Sequence, residues 1–343
     1  MKNSELAALD IALATGAHAM YARLLSQDEK KLIADLRSTD ELVAFLRRTS
    51  GWGGAAADMP PSGVTDKQFA FEIERAVYSE YERLYRFAES TAKDFLIFIA
   101  LHVKCRAILN ALRRLGTPGT KAEDDPLPPF FHTLPGYNID RLMTVNTYDE
   151  LIDAGGGGIY GDTLRLLERD PVSGLPRFAE AADLLEDRYY SAMSDFLSAR
   201  YSGPDKQRLT ELIGFRADLL NVSYLLRLRR FNTPPDKAHA LLLPISGGLS
   251  RKTEDEILAA ESDEAAFALL LSTRLGKYFK GLSVSEPGNF VRAAEAAYFR
   301  KIIHGEPSLS VAYAFMVLNE AEAGMLKRVF VALQYGLNPE IYM

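Results

Sequence analysis

A few small sets of residues in this chain have types and spacings that could do chemistry. Asp183, Glu186 and Asp187 stand at i, i+3 and i+4, which would put three carboxylates on one helical face, a possible acid–base pair. Arg188 adjoins them in an amphipathic stretch, so the spacing predicts a solvated charged face. Glu123-Asp124-Asp125 lies among prolines and reads as a solvated loop. Cys105 would be a nucleophile only as a thiolate, and its apolar setting from Phe95 to Ala111 predicts a buried, inert thiol. The histidines (His18, His102, His132, His239 and His304) are scattered singly without an i,i+4 pair, so no zinc-ligand spacing is present. Gly155–Gly158 could cradle a phosphate, but Ile159-Tyr160 follows where a P-loop needs Gly-Lys-Ser/Thr. That run is expected to be a flexible interruption of a helix, and Gly247-Gly248, also without a lysine, a turn. A Gly-x-Ser-x-Gly elbow is absent. The expectation is therefore no catalytic residue, no cofactor-binding residue and no metal ligand.

The elements that would carry these residues are helical. Ile73, Val77, Tyr81, Leu84 and Ala88 step by 4, 4, 3 and 4, the stripe of an amphipathic helix. Leu185, Tyr189, Ala192, Phe196 and Ala199 repeat it, as do Ala293, Ala297, Tyr298 and Ile302. Strand-type alternation is missing, which makes the class all-α. The 18 Phe and 16 Tyr fall mainly on apolar stripes and are expected in the core. Two proline-rich exits, Gly116-Thr117-Pro118-Gly119 running on to Pro129 and Asn232-Thr233-Pro234-Pro235, cannot stay helical. They divide the chain into 1–125, 126–236 and 237–343.

These near-equal pieces share two signals in the same order. Ser38-Thr39-Asp40-Glu41-Leu42 returns 109 residues later as Thr147-Tyr148-Asp149-Glu150-Leu151, and Ser262-Asp263-Glu264-Ala265 follows with Glu264 114 beyond Glu150. The first two fit the capping box, and the third keeps a serine cap with acids in the first turn. Each piece then closes on an apolar helix with cations at its end and a breaker beyond. These are Ala107 to Arg114, Asn221 to Arg230, and Met325 to Phe330 before Gly336. Arg113-Arg114 and Arg229-Arg230 sit at such ends, where the helix dipole accounts for them. With Arg47-Arg48 they are also the cation pairs that could meet an acidic partner surface.

At these residues the chain resembles the C subunit of the prokaryotic V/A-type rotary ATPases, whose equivalent in the eukaryotic vacuolar enzyme is the d subunit. Tyr21-Ala22-Arg23 sits where that family has an early tyrosine and arginine. The stretch from Phe215 through Asp218, Asn221 and Val222 to Arg227 matches its acidic–Asn–apolar–Arg helix. Leu242-Leu243-Pro244-Ile245-Ser246-Gly247-Gly248-Leu249 resembles its Leu-Pro-Gly-Gly turn, and Leu318 through Glu322 and Arg328 to Leu337 its closing helix. The first piece departs from the pattern, with Lys104 and Ala107 where the second has Asp218 and Asn221. The resemblance implies three similar helical lobes in a pseudo-threefold funnel. It further implies a non-catalytic central-stalk rotor component, receiving the central-shaft subunits and seated on the membrane proteolipid c ring. A rotor of this kind couples ATP turnover to proton or sodium transport without a cofactor.

Composition agrees with a folded chain of this kind. In 343 residues there are 40 Lys+Arg against 46 Asp+Glu, a net charge of −6, with 48% apolar and 25% charged residues. An acidic balance makes nucleic acid a poor partner. The single cysteine excludes an intramolecular disulfide and fits a reducing compartment. The longest stretch free of charged residues, Pro126 to Ile139, is shorter than the roughly 18–20 residues a bilayer needs. Ala17-His18-Ala19 is superficially like a cleavage site, yet Glu5 and Asp10 break the apolar run before it. The expectation is a cytoplasmic protein, peripheral to the membrane and not inserted in it. A helical scaffold or adaptor of another complex is the alternative reading. Its repeats should be short, about 34–47 residues. A helical enzyme would need a convergent polar cluster, and none is apparent.

Overall fold

The computed structural model describes the backbone of residues 3–117, 127–134, 136–245, 248–280 and 287–342. Within these it describes side chains from residue 11 onward, apart from 90 and 287–289. Among the described residues no strand occurs. The helices run α1 (Asn3–Tyr21), α2 (Gln27–Ala34), α3 (Thr39–Leu46), α4 (Gly53–Ala57), α5 (Asp66–Phe87) and α6 (Ser90–Leu115). Next come α7 (Pro129–Thr133), α8 (Ile139–Thr144), α9 (Tyr148–Gly155), α10 (Ile159–Leu166), α11 (Phe178–Arg200) and α12 (Gly203–Arg230). The last are α13 (Pro235–His239), α14 (Arg251–Leu258), α15 (Asp263–Ser272), α16 (Gly276–Phe279), α17 (Pro287–Ile303) and α18 (Leu309–Gln334), with a 3₁₀ turn at Pro339–Tyr342.

Contacts gather the chain into two compact units. One comprises Met1–Asp94, Glu123–Thr133 and Phe299–Met343; the other comprises Phe95–Ala122 and Leu134–Tyr298. In the first unit α18 packs against α1, α3 and α5. Leu42, Val43, Leu46, Trp52, Phe69 and Ile73 meet Leu326, Val329 and Phe330 in its core, and the rings of Phe69 and Phe330 stack with centroids 4.2 Å apart. In the second unit α11 packs against α10 and α12, and α14 against α12 and α15. Phe98 stacks on Phe196 at 4.5 Å and Phe215 on Tyr298 at 3.7 Å.

The amphipathic stripes are present, two of them in a shifted register. Ile73, Tyr81, Leu84 and Ala88 are buried along α5 as the spacing predicts, with Val77 half-buried. On α11 the buried line is Ala181, Leu185, Tyr189, Met193 and Leu197; Ala199 is exposed and Ala192 and Phe196 lie on its flank. On α17 the buried residues are Phe290, Ala294, Phe299 and Ile303, each of the last three next to a predicted position. In both helices a run of neighbouring apolar residues supports two adjacent stripes, and tertiary packing selects one of them.

One helix, Thr91–Leu115 within α6, is long and apolar enough to cross a membrane by length and composition. Charged residues, Lys104 and Arg106 in its middle, interrupt the run without abolishing its apolar character. Half of that stretch is buried in protein, Lys104 is inside it, and Phe98 is covered by Phe196, the pattern of a core helix.

The three predicted caps are all made. Ser38 Oγ accepts from Glu41 N–H at 3.2 Å, Thr147 Oγ1 from Glu150 N–H at 3.2 Å, and Ser262 Oγ from Ala265 N–H at 3.1 Å. The reciprocal half of the box differs from expectation. Glu41 accepts from the amide of Arg37, and Glu150 from that of Asn146, one residue before each cap. The cap residues there have φ of −145° and −133°. In the complete boxes at Ser26 and Thr65, where φ is −66° and −81°, the cap amide itself faces the N3 side chain. Replacing Ser38, Thr147 or Ser262 singly by Ala should each lower the unfolding free energy by about 1 kcal/mol. Ser202→Ala, at a cap without a side-chain bond, should change it little; urea denaturation of the four variants decides.

Candidate functional site

Three pairs of short helices share one local construction. In each, a capped helix ends, turns tightly and is followed by a second short helix: α3 with α4, α9 with α10, α15 with α16. The turn is so tight that glycine is needed where backbones meet. A Cβ on Gly161 would lie 1.5 Å from the carbonyl oxygen of Gly156, and one on Gly276 2.0 Å from that of Leu271. At the first corner Gly53 approaches the carbonyl of Arg47, and Gly51 that of Arg23, where a Cβ would fall at 2.4 Å. Gly155–Gly158 is thus a helix end and a new helix start, with φ of +74° at Gly156 and +87° at Gly158, and not an interruption within one helix.

A buried polar side chain on a long helix of the same unit grips the first corner at Trp52, the second at Gly155, and the main chain ahead of the third at Leu243. On α18, Glu322 Oε1 accepts from the Leu25 amide at 2.9 Å and from Trp52 Nε1 at 2.8 Å, while Oε2 pairs with Lys30 Nζ at 2.9 Å. On α12, Asn221 makes a reciprocal pair with the main chain of Leu243, accepting from its N–H at 2.8 Å and donating to its C=O at 3.2 Å. On α6, Lys104 Nζ donates to the carbonyls of Gly136 at 2.6 Å and Gly155 at 2.7 Å. All three side chains belong to buried residues. A buried polar group without a partner costs about 1–3 kcal/mol, more for a charge, so each anchor fixes the main chain it binds. Lys104 differs in sign: where Glu322 and Asn221 receive an amide proton, it supplies protons to carbonyls, one of them at the negative end of α9. No carboxylate pairs with it among the described residues, and burial alone pushes its ammonium below the ordinary lysine range.

The arginine pairs reinforce the corners, a use that neither helix dipoles nor a partner surface had suggested. Arg114 at the end of α6 donates to the carbonyls of Leu142 and Val145, just before the Thr147 cap. Arg229 at the end of α12 donates to the carbonyl of Ala260 and, with Arg230, binds the Asp263 carboxylate beside the Ser262 cap. Arg114 to Val145 and Arg229 to Ala260 are both separated by 31 residues. Arg47 holds the carbonyls of Ala56 at the end of α4 and of Met59 and Pro60 beyond it, and Arg113 lies over the Phe178 ring.

The remaining candidates do not converge. Cys105 is buried, and burial aided by Glu186 pushes its thiol up to about 12. Of the three carboxylates, Asp183 is exposed, but Glu186 turns inward and accepts from Tyr224 Oη at 2.7 Å. The charged face is therefore not wholly solvated as expected, and burial raises the Glu186 carboxyl while the Tyr224 bond opposes it. His102 packs edge-on against Tyr189, and burial, helped by the charges of Arg216 and Arg106, lowers it to about 3. His18 meets the Ile303 carbonyl at 2.7 Å, and His304 the Tyr21 ring. His132 lies in α7. His239 sits 3.1 Å from Glu254 and 2.6 Å from Asp255. Among the described residues no group of three His, Cys, Asp or Glu could hold a metal ion. Gly248 backs onto the Arg274 side chain; Gly247 and Glu123 to Asp125 lie outside the described residues.

Sequence reasoning missed Glu322, Trp52, Gly161 and Gly276. The available signal for Glu322 was a carboxylate with Leu318 and Leu326 one turn away on either side of it.

Comparison with known proteins covers these same elements. Residues 13–342 match the family model of the ATP synthase (C/AC39) subunit. The chain is similar to the C subunit of the A-type ATP synthase of Pyrococcus abyssi, 21% identical over 334 residues, and to that of Pyrococcus furiosus, 23% identical over 336. In both cases the alignment spans 94% of this chain and 86% of the relative.

Two outcomes test the corner construction. Gly161→Ala should cost at least about 3 kcal/mol of stability, whereas Gly54→Ala in α4, where a Cβ meets nothing within 4 Å, should gain up to about 1 kcal/mol. Lys104→Met should cost about 1–3 kcal/mol at neutral pH by stranding two carbonyls. A lysine lowered in the folded state burdens stability while the unfolded chain holds the proton, a burden that lifts as pH rises towards 10.5. The neutral amine keeps two donors for the two carbonyls, so the advantage of the parent over Lys104→Met should grow between pH 7 and pH 10 in urea denaturation.

Proposed function

The chain belongs to the ATP synthase (C/AC39) subunit family, and on that premise we propose that it is a central-stalk rotor subunit of a V/A-type rotary ATPase. It is a structural subunit, not the catalytic one. Its work in this reading is mechanical. It joins the rotating central shaft to the membrane proteolipid c ring and so links ATP turnover to transport of protons or sodium ions. It sits on the cytoplasmic side, peripheral to the bilayer, held by protein and not inserted in lipid.

The observation that supports this reading best is the thrice-used corner. Each corner is closed by glycine contact and capped by a hydroxyl, and the first two are gripped by a buried polar anchor. A mechanical link has to resist deformation, and close-packed helices with satisfied buried polar groups do so. Three corners in one chain also support the division into lobes at 1–125, 126–236 and 237–343, which we propose to be arranged about a pseudo-threefold axis as a funnel. In this arrangement α18 of the third lobe closes on the first through Glu322, a form suited to an axial position.

The test is separate co-purification of the full chain with the proteolipid ring and with the central-shaft subunits. Stable capture by each partner is expected at protein levels where a control complex assembles. Failure with either one would overturn the adaptor reading.

A further inference from the structure

The last long helix is apolar on nearly every side. Every residue from Leu309 to Asn319 is buried, as are Ala323, Met325, Leu326, Val329, Phe330 and Leu333. A surface of Leu, Ala, Val, Met and Phe adheres strongly but with little sense of position, because hydrophobic burial is non-directional and cores accept volume-conserving swaps. A slip by one turn, about 5.4 Å, would exchange one apolar residue for another along much of the contact.

Glu322 is the place where such a slip fails. Its same-face neighbours one turn away are Leu318 and Leu326, both buried. In either slipped register an aliphatic side chain would face the Leu25 amide, Trp52 Nε1 and Lys30 Nζ, while the carboxylate would move among aliphatic and aromatic residues. Both sides of the contact would then hold unmatched polar or charged groups. A further ion pair on this helix, Lys327 with Glu74 at 2.7 Å, is about one-third exposed on both sides and carried on long side chains that can follow a shift. Of the polar residues buried along α18, namely Ser310, Asn319 and Glu322, Glu322 alone is bound to three separate points of the N-terminal segment.

We infer that Glu322 is a register key, which fixes the axial position of α18 against residues 25–52. The inference stands on the packing of the first unit and is independent of the rotor reading. Replacing a buried ion pair by apolar residues is often neutral or stabilising. Removing both charges should therefore leave a folded chain whose last helix has lost its one permitted position.

Distance measurement by double electron–electron resonance tests this on the full chain. Spin labels are placed through Ser79→Cys on α5 and Gln334→Cys at the end of α18, both exposed, with Cys105→Ala removing the native thiol. The parent should give a single distance. The variant Glu322→Leu/Lys30→Met strands the Leu25 amide and Trp52 Nε1; it should fold with a lowered melting temperature and show a second population displaced by up to about 5 Å. A single unchanged distance, or loss of folding, would overturn the proposal, the latter by making the site a stability element. Glu322→Gln/Lys30→Met retains an acceptor for Leu25 and Trp52 without any charge. It should keep the single parental distance, and two populations there would also contradict the proposal.

Discussion

The arrangement depends on a rule of buried polarity: a hydrogen-bonding group taken out of water must find its partner inside the fold. Three of the groups so buried stand on long helices, and each of them binds main chain. Glu322 takes the amide of Leu25, Asn221 clasps Leu243 in both directions, and Lys104 fills two carbonyls that bracket α8 and α9. Main-chain groups have no rotamers, so an anchor of this type fixes the path of the chain as well as a side-chain contact. Glu322 and Lys104 act at capped corners themselves, through Trp52 and Gly155.

Lys104 shows that the role and the residue type are separable. Seen in sequence it looks like a lapse from the pattern set by Asp218 and Asn221. In the structure it is a cation solving the same problem from the donor side, held at the end of α9 where helix carbonyls gather negative potential. Desolvation of the ammonium is the cost of that solution, and it sets this anchor apart from the neutral clasp at Asn221.

Much of the fold could be read from residue spacing. The all-α class, the caps at Ser38, Thr147 and Ser262, and the helix ends before Pro118 and Pro234 depend on neighbours in sequence, and local rules reach that far. The stripes on α11 and α17 slipped by one position because adjacent apolar residues offer two equivalent faces until the partner helix is present. The site was less legible. Glu322 binds Leu25 and Trp52 from 297 and 270 residues away, a pairing no local pattern encodes. The glycines at 161 and 276 look ordinary until a carbonyl is seen where a Cβ would stand. The arginine pairs were recognised as helix ends, yet the partners of Arg114 and Arg229 lie some thirty residues on in the next corner.

Protection of two amides tests the central claim most directly. Leu25 and Leu243 lie outside helices, and each donates its N–H to a buried side chain, so native-state hydrogen exchange can follow them in the unmodified full chain. If the anchors hold the main chain, both amides exchange only through global unfolding, at rates matching the core amide of Leu326. Exchange of either through local opening, with Leu326 still protected, would contradict the account.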